Sequence, residues 1–187
     1  MERELILTGI GGQGIQLMAK VLALAAREAG KDVMLFGVYQ GMMRGGSSES
    51  TLVISDAPID TPPIIPRVWG VLAMHPMSLP ALAGKLRPGG VLFANSTLVH
   101  SVPRDDVHVT RVPATQLAEE AGNLMGAGMI ALGAFCAATQ VVEHTALVSA
   151  MRTALPPHRQ HLAEKNVTLL TLGAAYVATH TAQTADC

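Results

Sequence analysis

A glycine-rich turn near the N-terminus constrains the fold more than any other feature of the sequence. The apolar residues 5–8 run directly into Gly9-Ile10-Gly11-Gly12-Gln13-Gly14, which matches the pattern G-x-G-x-x-G. Residues 15–29 then carry apolar side chains at helical spacing, and residues 32–36 form a second apolar run. Because the turn follows a strand and opens a helix, this unit predicts two parallel strands joined by a right-handed crossover.

The rest of the chain continues the alternation of strands and helices. Further strands are predicted at residues 50–55, 68–74, 91–94 and 107–112, with a helix at 77–85 and a mostly helical segment from 115 to about 180. The pattern predicts an α/β fold: three layers, with a mostly parallel Rossmann-like sheet, helices on both faces and a helical C-terminal third. Residues 1–187 fit one domain.

The composition points to a protein that is partly covered by another protein. Charged residues make up 14% of the chain, against roughly 25% in an average soluble domain. So few charges leave part of the surface for a partner, although an alanine- and glycine-rich monomer can have the same composition. The net charge of −1 and the lack of a basic stripe argue against nucleic-acid binding. No apolar run is long enough to span a membrane, so we expect a cytoplasmic protein.

Metal-binding and catalytic patterns are missing from the sequence. Cys136 and Cys187 are far apart, which excludes a disulfide framework and a four-cysteine iron–sulfur site within this chain. His158 and His161 could share a helix face, but no third ligand is placed near them, so we expect no metal site. No Ser-His-Asp or Cys-His arrangement is supported, and we predict no catalytic residue in this chain.

The glycine turn predicts an anion site. Its glycines let the backbone approach a phosphate, and the start of the following helix supplies free N–H groups. A dinucleotide-binding fold also needs an acidic residue at the end of the second strand, whereas the nearest acid here, Asp32, lies at its start. A free-standing NAD(P)-binding domain is therefore an alternative that lacks the acidic residue expected to bind the ribose. Another alternative is that the glycines only permit close packing of strand and helix. We expect the amide of Gln13 to point toward whatever lies over the turn.

The loop at residues 37–48 is the most distinctive stretch of the chain. Arg44 offers a forked donor, Gly45 and Gly46 offer a pliable backbone, and Ser47 offers a hydroxyl, a set that suits a phosphate or carboxylate. Two methionines precede Arg44 and favour adaptable apolar contact at a protein or cofactor interface. Loops of this length are usually functional. The alternative is a solvated arginine between glycine hinges.

Three shorter features have mainly structural interpretations. His75 follows a strand and precedes a proline, which favours a turn over a functional role. Asn123 precedes an apolar helix and is a candidate N-cap. Asn95 lies in a glycosylation pattern, which we discount because no secretory signal is visible.

Taken in order, these motifs resemble a known family. The glycine turn, the Arg44-Gly45-Gly46 loop and the following Leu52-Val53-Ile54-Ser55 resemble the γ subunit, or γ domain, of 2-oxoacid:ferredoxin oxidoreductases. Later matches are Asn123-Leu124-Met125-Gly126-Ala127, Glu164-Lys165-Asn166 and Gly173-Ala174, so the resemblance covers nearly the whole chain. Residues 40–43 depart from the acidic or aromatic lead-in of some members. The substrate therefore stays open among pyruvate, 2-oxoglutarate, ketoisovalerate and other branched-chain acids, and aryl 2-oxoacids.

The resemblance implies a function within a larger enzyme. Such enzymes oxidatively decarboxylate a 2-oxoacid and pass the acyl group to coenzyme A, using thiamine diphosphate and 4Fe–4S clusters. This chain lacks a Gly-Asp-Gly thiamine segment and lacks cluster cysteines. The resemblance therefore implies that these cofactors lie on partners: α, β (thiamine diphosphate) and δ (ferredoxin-like) subunits, with ferredoxin or an NAD-linked acceptor. The isolated chain would be inactive.

The resemblance also implies where this chain meets the reaction. A γ subunit assists assembly and contributes to the coenzyme A side of the active site. The residues predicted to bind the coenzyme are Gly11, Gly12, Gln13 and Gly14 in the turn, and Arg44, Gly45, Gly46 and Ser47 in the loop. Arg44 would pair with an anionic group of the coenzyme or of a neighbouring subunit. Besides the NAD(P)-binding dehydrogenase, the remaining alternative is a purely structural assembly subunit.

Overall fold

Strands and helices alternate through the first two thirds of the chain, and helices fill the remainder. The computed structural model describes residues 1–39, 46–60, 65–82, 84–102 and 104–181. The strands in these ranges are β1 (Glu2–Ile10), β2 (Asp32–Tyr39), β3 (Ser47–Ser55), β4 (Val68–Ala73), β5 (Leu86–Asn95) and β6 (His108–Val112). The α-helices are α1 (Ile15–Glu28), α2 (Leu79–Leu82), α3 (Ala114–Glu120), α4 (Ala127–Thr139), α5 (His144–Ala154) and α6 (Ala163–Thr181). Short 3-10 turns at Pro76–Ser78, Leu124–Gly126 and Pro157–Leu162 precede α2, α4 and α6.

The six strands form one sheet in the order β2-β3-β1-β4-β5-β6. Strands β4, β5 and β6 continue parallel to β1, whereas β3 runs antiparallel to both β1 and β2. The predicted α/β fold with a mostly parallel sheet is confirmed. The sequence did not predict that β3 folds back from β2 and inserts between β2 and β1.

Helices cover the two faces of the sheet unequally. On one face, Leu5 and Leu7 of β1 belong to a core shared with α1, α3, α4, α5 and α6. On the other face, Ile6 joins a smaller core with Leu79 and Leu82 of α2. Helix α2 is a single turn, shorter than the predicted helix at 77–85, so this second layer is thin. Ile65, before β4, and Val99 and Val102, after β5, pack in the same core.

Helix α4 is the centre of the helical face. Every residue from Ala127 to Cys136 is buried, and a helix that is apolar on all sides belongs inside a protein. Its Phe135 ring makes edge contacts with Trp69 of β4 and Phe93 of β5, at centroid distances of 6.3 Å and 5.1 Å. Helix α6 packs on α4, which makes the predicted helical C-terminal third an outer layer over the central helix.

Two glycines allow α4 and α6 to pack backbone against backbone. A Cβ atom added to Gly133 of α4 would overlap the carbonyl oxygen of Leu170, and one added to Gly173 of α6 would overlap that of Ile130. Each glycine therefore faces the main chain of the other helix. The Gly173-Ala174 match noted in the sequence marks this helix contact and lies in the packed interior.

Candidate functional site

The sheet reverses its winding direction between β1 and β4. The connection that leaves β1 runs through α1 toward β2, whereas the connection that leaves β4 runs through α2 toward β5. Helices α1 and α2 pack on opposite faces. The two departing loops leave a crevice at the carboxyl ends of β1 and β4, which is where open α/β sheets bind their ligands. We call this place the switch crevice, bordered by residues 9–14 and 74–77.

The glycine turn adopts a backbone that other residues rarely adopt. Gly12 and Gly14 have φ angles of 99° and 74°, in the left-handed region that favours glycine. Apart from its chain neighbours, a Cβ atom at either position would meet no atom of the described residues within 4 Å, so space lies open above both. Gly9 is required by close packing instead of by its backbone conformation, because a Cβ atom there would lie 2.5 Å from Gln13 Oε1. The turn is therefore tightly packed beneath and open above.

Helix α1 begins at the switch crevice without a side-chain cap. Gly14 is its N-cap, no side chain in the described part of the chain accepts a hydrogen bond from its first N–H groups, and its first turn holds no acidic residue. The partial positive charge of a helix start is then uncompensated by the chain itself. An anion approaching the exposed Gly12 and Gly14 would meet these N–H groups directly.

The side chain of Gln13 ties the two walls of the crevice together. Its Oε1 accepts a hydrogen bond from the N–H of Ile10 at 2.9 Å, and its Nε2 donates to the carbonyl oxygen of Met74 at 3.4 Å. The expectation that this amide points toward a molecule over the turn is therefore wrong in its direction. The amide instead forms hydrogen bonds with backbone groups at the ends of β1 and β4, and these bonds hold the turn in its shape.

The described end of the segment at residues 37–48, Gly46 and Ser47, contacts the glycine turn. The N–H of Gly11 donates to the carbonyl oxygen of Gly46 at 2.9 Å, and Ser47 lies opposite Ile10 in the β1–β3 ladder. Ser47 is half-buried at the start of β3. Arg44 and Gly45 lie outside the described residues, so their predicted roles stay predictions. Two motifs that are distant in sequence thus reach the same edge of the sheet.

Sequence reasoning missed Gln16, which holds the β2–β3 pair against α1. Its Nε2 donates to the carbonyl oxygen of Glu49 at 3.2 Å. A Cβ atom on Gly37 would lie 2.7 Å from its Oε1, so the glycine in β2 makes room for this side chain. The sequence did contain a signal for this contact: a polar residue in the first turn of α1 and a glycine inside a strand, where another group often approaches closely.

A second helix start borders the switch crevice. A Cβ atom on Gly128 of α4 would lie 2.9 Å from the carbonyl oxygen of Gln13, which puts the first turn of α4 against the glycine turn. Asn123 is the N-cap residue of the 3-10 turn at Leu124–Gly126, which precedes α4, but its side chain makes no capping hydrogen bond there. Leu124 and Met125 are 56% and 71% exposed at this corner.

Two polar residues anchor the β4 side. His75 Nδ1 accepts a hydrogen bond from the N–H of Met77 at 3.3 Å, which confirms that it forms a turn. The buried Asn95 donates through Nδ2 to the Met74 carbonyl oxygen at 3.2 Å and to Thr115 Oγ1 at 2.7 Å. Its Oδ1 accepts from the N–H of Thr115 at 3.2 Å. Asn95 therefore joins β4, β5 and α3 behind the crevice.

We expect Asn95→Ala to lower the free energy of unfolding by about 2 kcal/mol, because it removes the three hydrogen bonds of a buried side chain and leaves the half-buried N–H of Thr115 without its acceptor. The Met74 carbonyl oxygen keeps its hydrogen bond from Gln13. Chemical denaturation monitored by circular dichroism measures the change. Asn166→Ala is the matched control, since the half-buried Asn166 makes no hydrogen bond to the described residues through its side chain. An equal loss in the two variants would contradict an anchoring role for Asn95.

The groups with shifted pKa values lie outside the switch crevice. Hydrogen bonds from Lys31 Nζ and from the terminal amino group lower the pKa of Asp56 to about 2. Asp56 follows β3 and lies beside the start of β1, at the other end of the strands from the switch crevice. Burial raises the pKa of the Cys136 thiol well above its usual range. Within the described ranges, no group of three or more His, Cys, Asp or Glu side chains is placed to hold a metal ion. No helix in that part of the chain is long and apolar enough to cross a membrane.

The strand order also weighs against a dinucleotide site. In the Rossmann fingerprint, the ribose-binding acid ends the strand next to the glycine turn. Here β3 lies between β1 and β2, so the end of β2 is two strands away from the turn. Its last residues, from Val33 to Tyr39, include no acid. The NAD(P)-binding alternative is not favoured.

Comparisons with known proteins agree with these features. A family model described as pyruvate ferredoxin/flavodoxin oxidoreductase matches residues 4–176. The 2-oxoglutarate synthase subunit KorC of Methanocaldococcus jannaschii is 31% identical over 178 residues, which is 92% of each chain.

Solved structures share the fold. The γ subunit of a keto/oxoacid ferredoxin oxidoreductase from Geobacter sulfurreducens superposes with a TM-score of 0.81 at 29% identity, covering 96% of this chain and 98% of that one. The 2-oxoglutarate:ferredoxin oxidoreductase of Magnetococcus marinus, solved with 2-oxoglutarate, coenzyme A and succinyl-CoA, gives a TM-score of 0.83 at 19% identity. This chain covers 31% of that longer chain, and itself aligns over 95% of its length. At that identity the likeness concerns the fold alone.

Proposed function

Because the chain belongs to the pyruvate ferredoxin/flavodoxin oxidoreductase family, we propose that it is the γ-type subunit of a 2-oxoacid:acceptor oxidoreductase that forms acyl-CoA. The proteins it resembles include a 2-oxoglutarate synthase subunit, a ketoisovalerate oxidoreductase subunit and the γ subunit of a keto/oxoacid ferredoxin oxidoreductase. The catalytic cofactors then reside on other chains: thiamine diphosphate on a β subunit, beside an α subunit, and iron–sulfur clusters on a ferredoxin-like δ subunit. Thiamine diphosphate supplies the carbon chemistry there. A cytoplasmic location is part of this proposal.

The role proposed for this chain is to hold the anionic part of coenzyme A at the switch crevice. The observation that carries it is the hydrogen bond from Gly11 to Gly46, which places the residue two positions after Arg44 in sequence beside the uncapped start of α1. The open space above Gly12 and Gly14 is a cradle that any side chain would fill. Backbone N–H groups and a forked guanidinium suit phosphate groups, of which coenzyme A carries several.

The other residues of the crevice position this cradle. Gln13 fixes the turn against β4, and Gln16 fixes the base of the β2–β3 hairpin against α1. The exposed Leu124 and Met125 border the same edge and exclude water from its rim when a partner covers them. Each of these groups binds or orients, and none transfers a proton.

We propose 2-oxoglutarate as the first substrate to test, because relatives that match most of the chain are 2-oxoglutarate synthase subunits. Ketoisovalerate is the second, since the ketoisovalerate oxidoreductase subunit VorA of Methanothermobacter marburgensis is 30% identical over 70% of this chain. Ferredoxin is the proposed acceptor, with an NAD-linked acceptor as the alternative.

A tagged copy of the chain, purified from its own cells, tests this assignment. We expect thiamine- and iron–sulfur-bearing subunits to co-purify and to give coenzyme A-dependent oxidation of a 2-oxoacid with an artificial electron acceptor. The rate with each 2-oxoacid then identifies the substrate. A chain that purifies alone and binds NAD(P) would overturn the assignment in favour of the dehydrogenase alternative.

A further inference from the structure

The two edges of the sheet are protected very differently. Strand β6 has five residues, and its exposed His108 and Arg111 place polar side chains, one of them charged, along the edge. Strand β2 has eight residues, and Asp32, its first residue, is the one charged residue among them. Its register with β3 is continuous, so no bulge turns the edge away. A long, uncharged edge without proline or a bulge is a template for another strand.

The outer row of backbone groups on β2 is accessible. The N–H of Val33 donates to Asp32 Oδ1 at 3.1 Å, so it points away from β3. Because alternate residues of an antiparallel ladder point the same way, the N–H and C=O groups of Leu35 and Gly37 also face outward. Leu35 is 40% exposed and Gly37 is exposed. No strand within the described residues pairs with this edge.

Asp32 closes one end of this row. Its Oδ1 binds the N–H of Val33, and its Oδ2 accepts from the N–H of Ile59 at 2.9 Å. The carboxylate therefore covers the first outward donor, and the open groups begin at Leu35. A pairing strand would centre on the apolar middle of β2.

We propose that β2 pairs antiparallel with β2 of a second copy of this chain, across a two-fold axis at Leu35, to give one continuous sheet. A two-fold contact must be self-complementary. Around this axis, the two Asp32 carboxylates fall at opposite ends of the new ladder, so like charges stay apart. The residues that meet in the middle are uncharged, and backbone hydrogen bonds of strand addition supply the attraction.

Sedimentation velocity of the full chain tests the pairing. We expect two chains per particle for the wild type, and single chains for Leu35→Lys, with dimerisation weakened at least about tenfold, since a lysine at the centre is the charge that protects natural edges. Met77→Lys is the matched control, because Met77 is also an exposed apolar residue, at 56%, and lies away from β2. It is expected to stay paired. Thermal melts show whether each variant is folded.

Cross-linking gives a second readout that does not depend on a disruptive variant. Leu35→Cys is expected to form a disulfide-linked pair on oxidation, whereas Met77→Cys is not. A wild-type chain that stays single at high concentration would overturn the proposal. So would a pair that survives Leu35→Lys, or an edge that binds only a strand of a different subunit. These readouts involve no enzyme activity and are independent of the function proposed for the switch crevice.

Discussion

Replacing Gly173 with alanine is expected to lower the free energy of unfolding by about 3 kcal/mol, at the upper end of the usual range for overpacked interiors. The added methyl group would overlap the carbonyl oxygen of Ile130 on α4. This obstacle is main chain, so α4 and α6 must move apart and lose contacts along their length. Since 1 kcal/mol corresponds to about 2–4 °C in a chain of this size, the melting temperature should fall by about 9 °C.

Gly84→Ala is the control for this prediction. Gly84 is exposed in a turn, and a Cβ atom there would meet no other atom within 4 Å. We expect its melting temperature to be unchanged or slightly raised, because alanine reduces the freedom of the unfolded chain. If Gly173→Ala melted within a few degrees of the wild type, the close contact of α4 and α6 would not be a main source of stability.

Replacing Gly14 with alanine is expected to raise the KM for coenzyme A about tenfold or more in the assembled enzyme, a loss of about 1.4 kcal/mol in transition-state binding. Gly14 has a φ of 74° and open space where its Cβ would lie. The methyl group would enter the cradle over the start of α1. The left-handed conformation would also cost about 1–2 kcal/mol of folding stability.

Gly30→Ala separates these two effects. Gly30 follows the other end of α1, with a nearly equal φ of 76° and equally open space. Both variants should lose similar stability, but only Gly14→Ala should change the KM for coenzyme A, measured by steady-state kinetics. Equal kinetics in the two variants would instead support a purely structural assembly subunit.

Local pattern predicted the first part of the fold well. The glycine spacing and the helical stripe of residues 15–29 indicated the strand–turn–helix–strand unit, because these signals depend on neighbours in sequence. The place of β3 was beyond local pattern, since strand order depends on which edges pair. The strand predicted at residues 91–94 is longer in the structure: β5 starts at Leu86 and carries Gly89 at a φ of 69°. A register shift between Val68 and Gly70 in β4 accommodates this irregular start.

The sequence predicted individual residues of the candidate site better than the contacts that join them. The spacing identified Gly14 and the family resemblance added Gly12, and the left-handed conformations of both are local properties. The contact between Gly11 and Gly46 and the reach of Gln16 to β3 join residues that are distant in sequence. The direction of the Gln13 side chain was predicted wrongly for the same reason, because its hydrogen-bond acceptor, the Met74 carbonyl oxygen just after β4, is distant in sequence. The sequence therefore indicated an anion site without showing what holds it in shape.

The central claim is that the switch crevice of this chain binds coenzyme A within the assembled enzyme. Hydrogen–deuterium exchange of the purified complex, with and without coenzyme A, tests it most directly. Coenzyme A bound in the switch crevice should slow exchange at the amides of residues 12–17 and 46–47, with little change at the far end of α1. Unchanged exchange at both segments, in a complex that still turns over with coenzyme A, would contradict it.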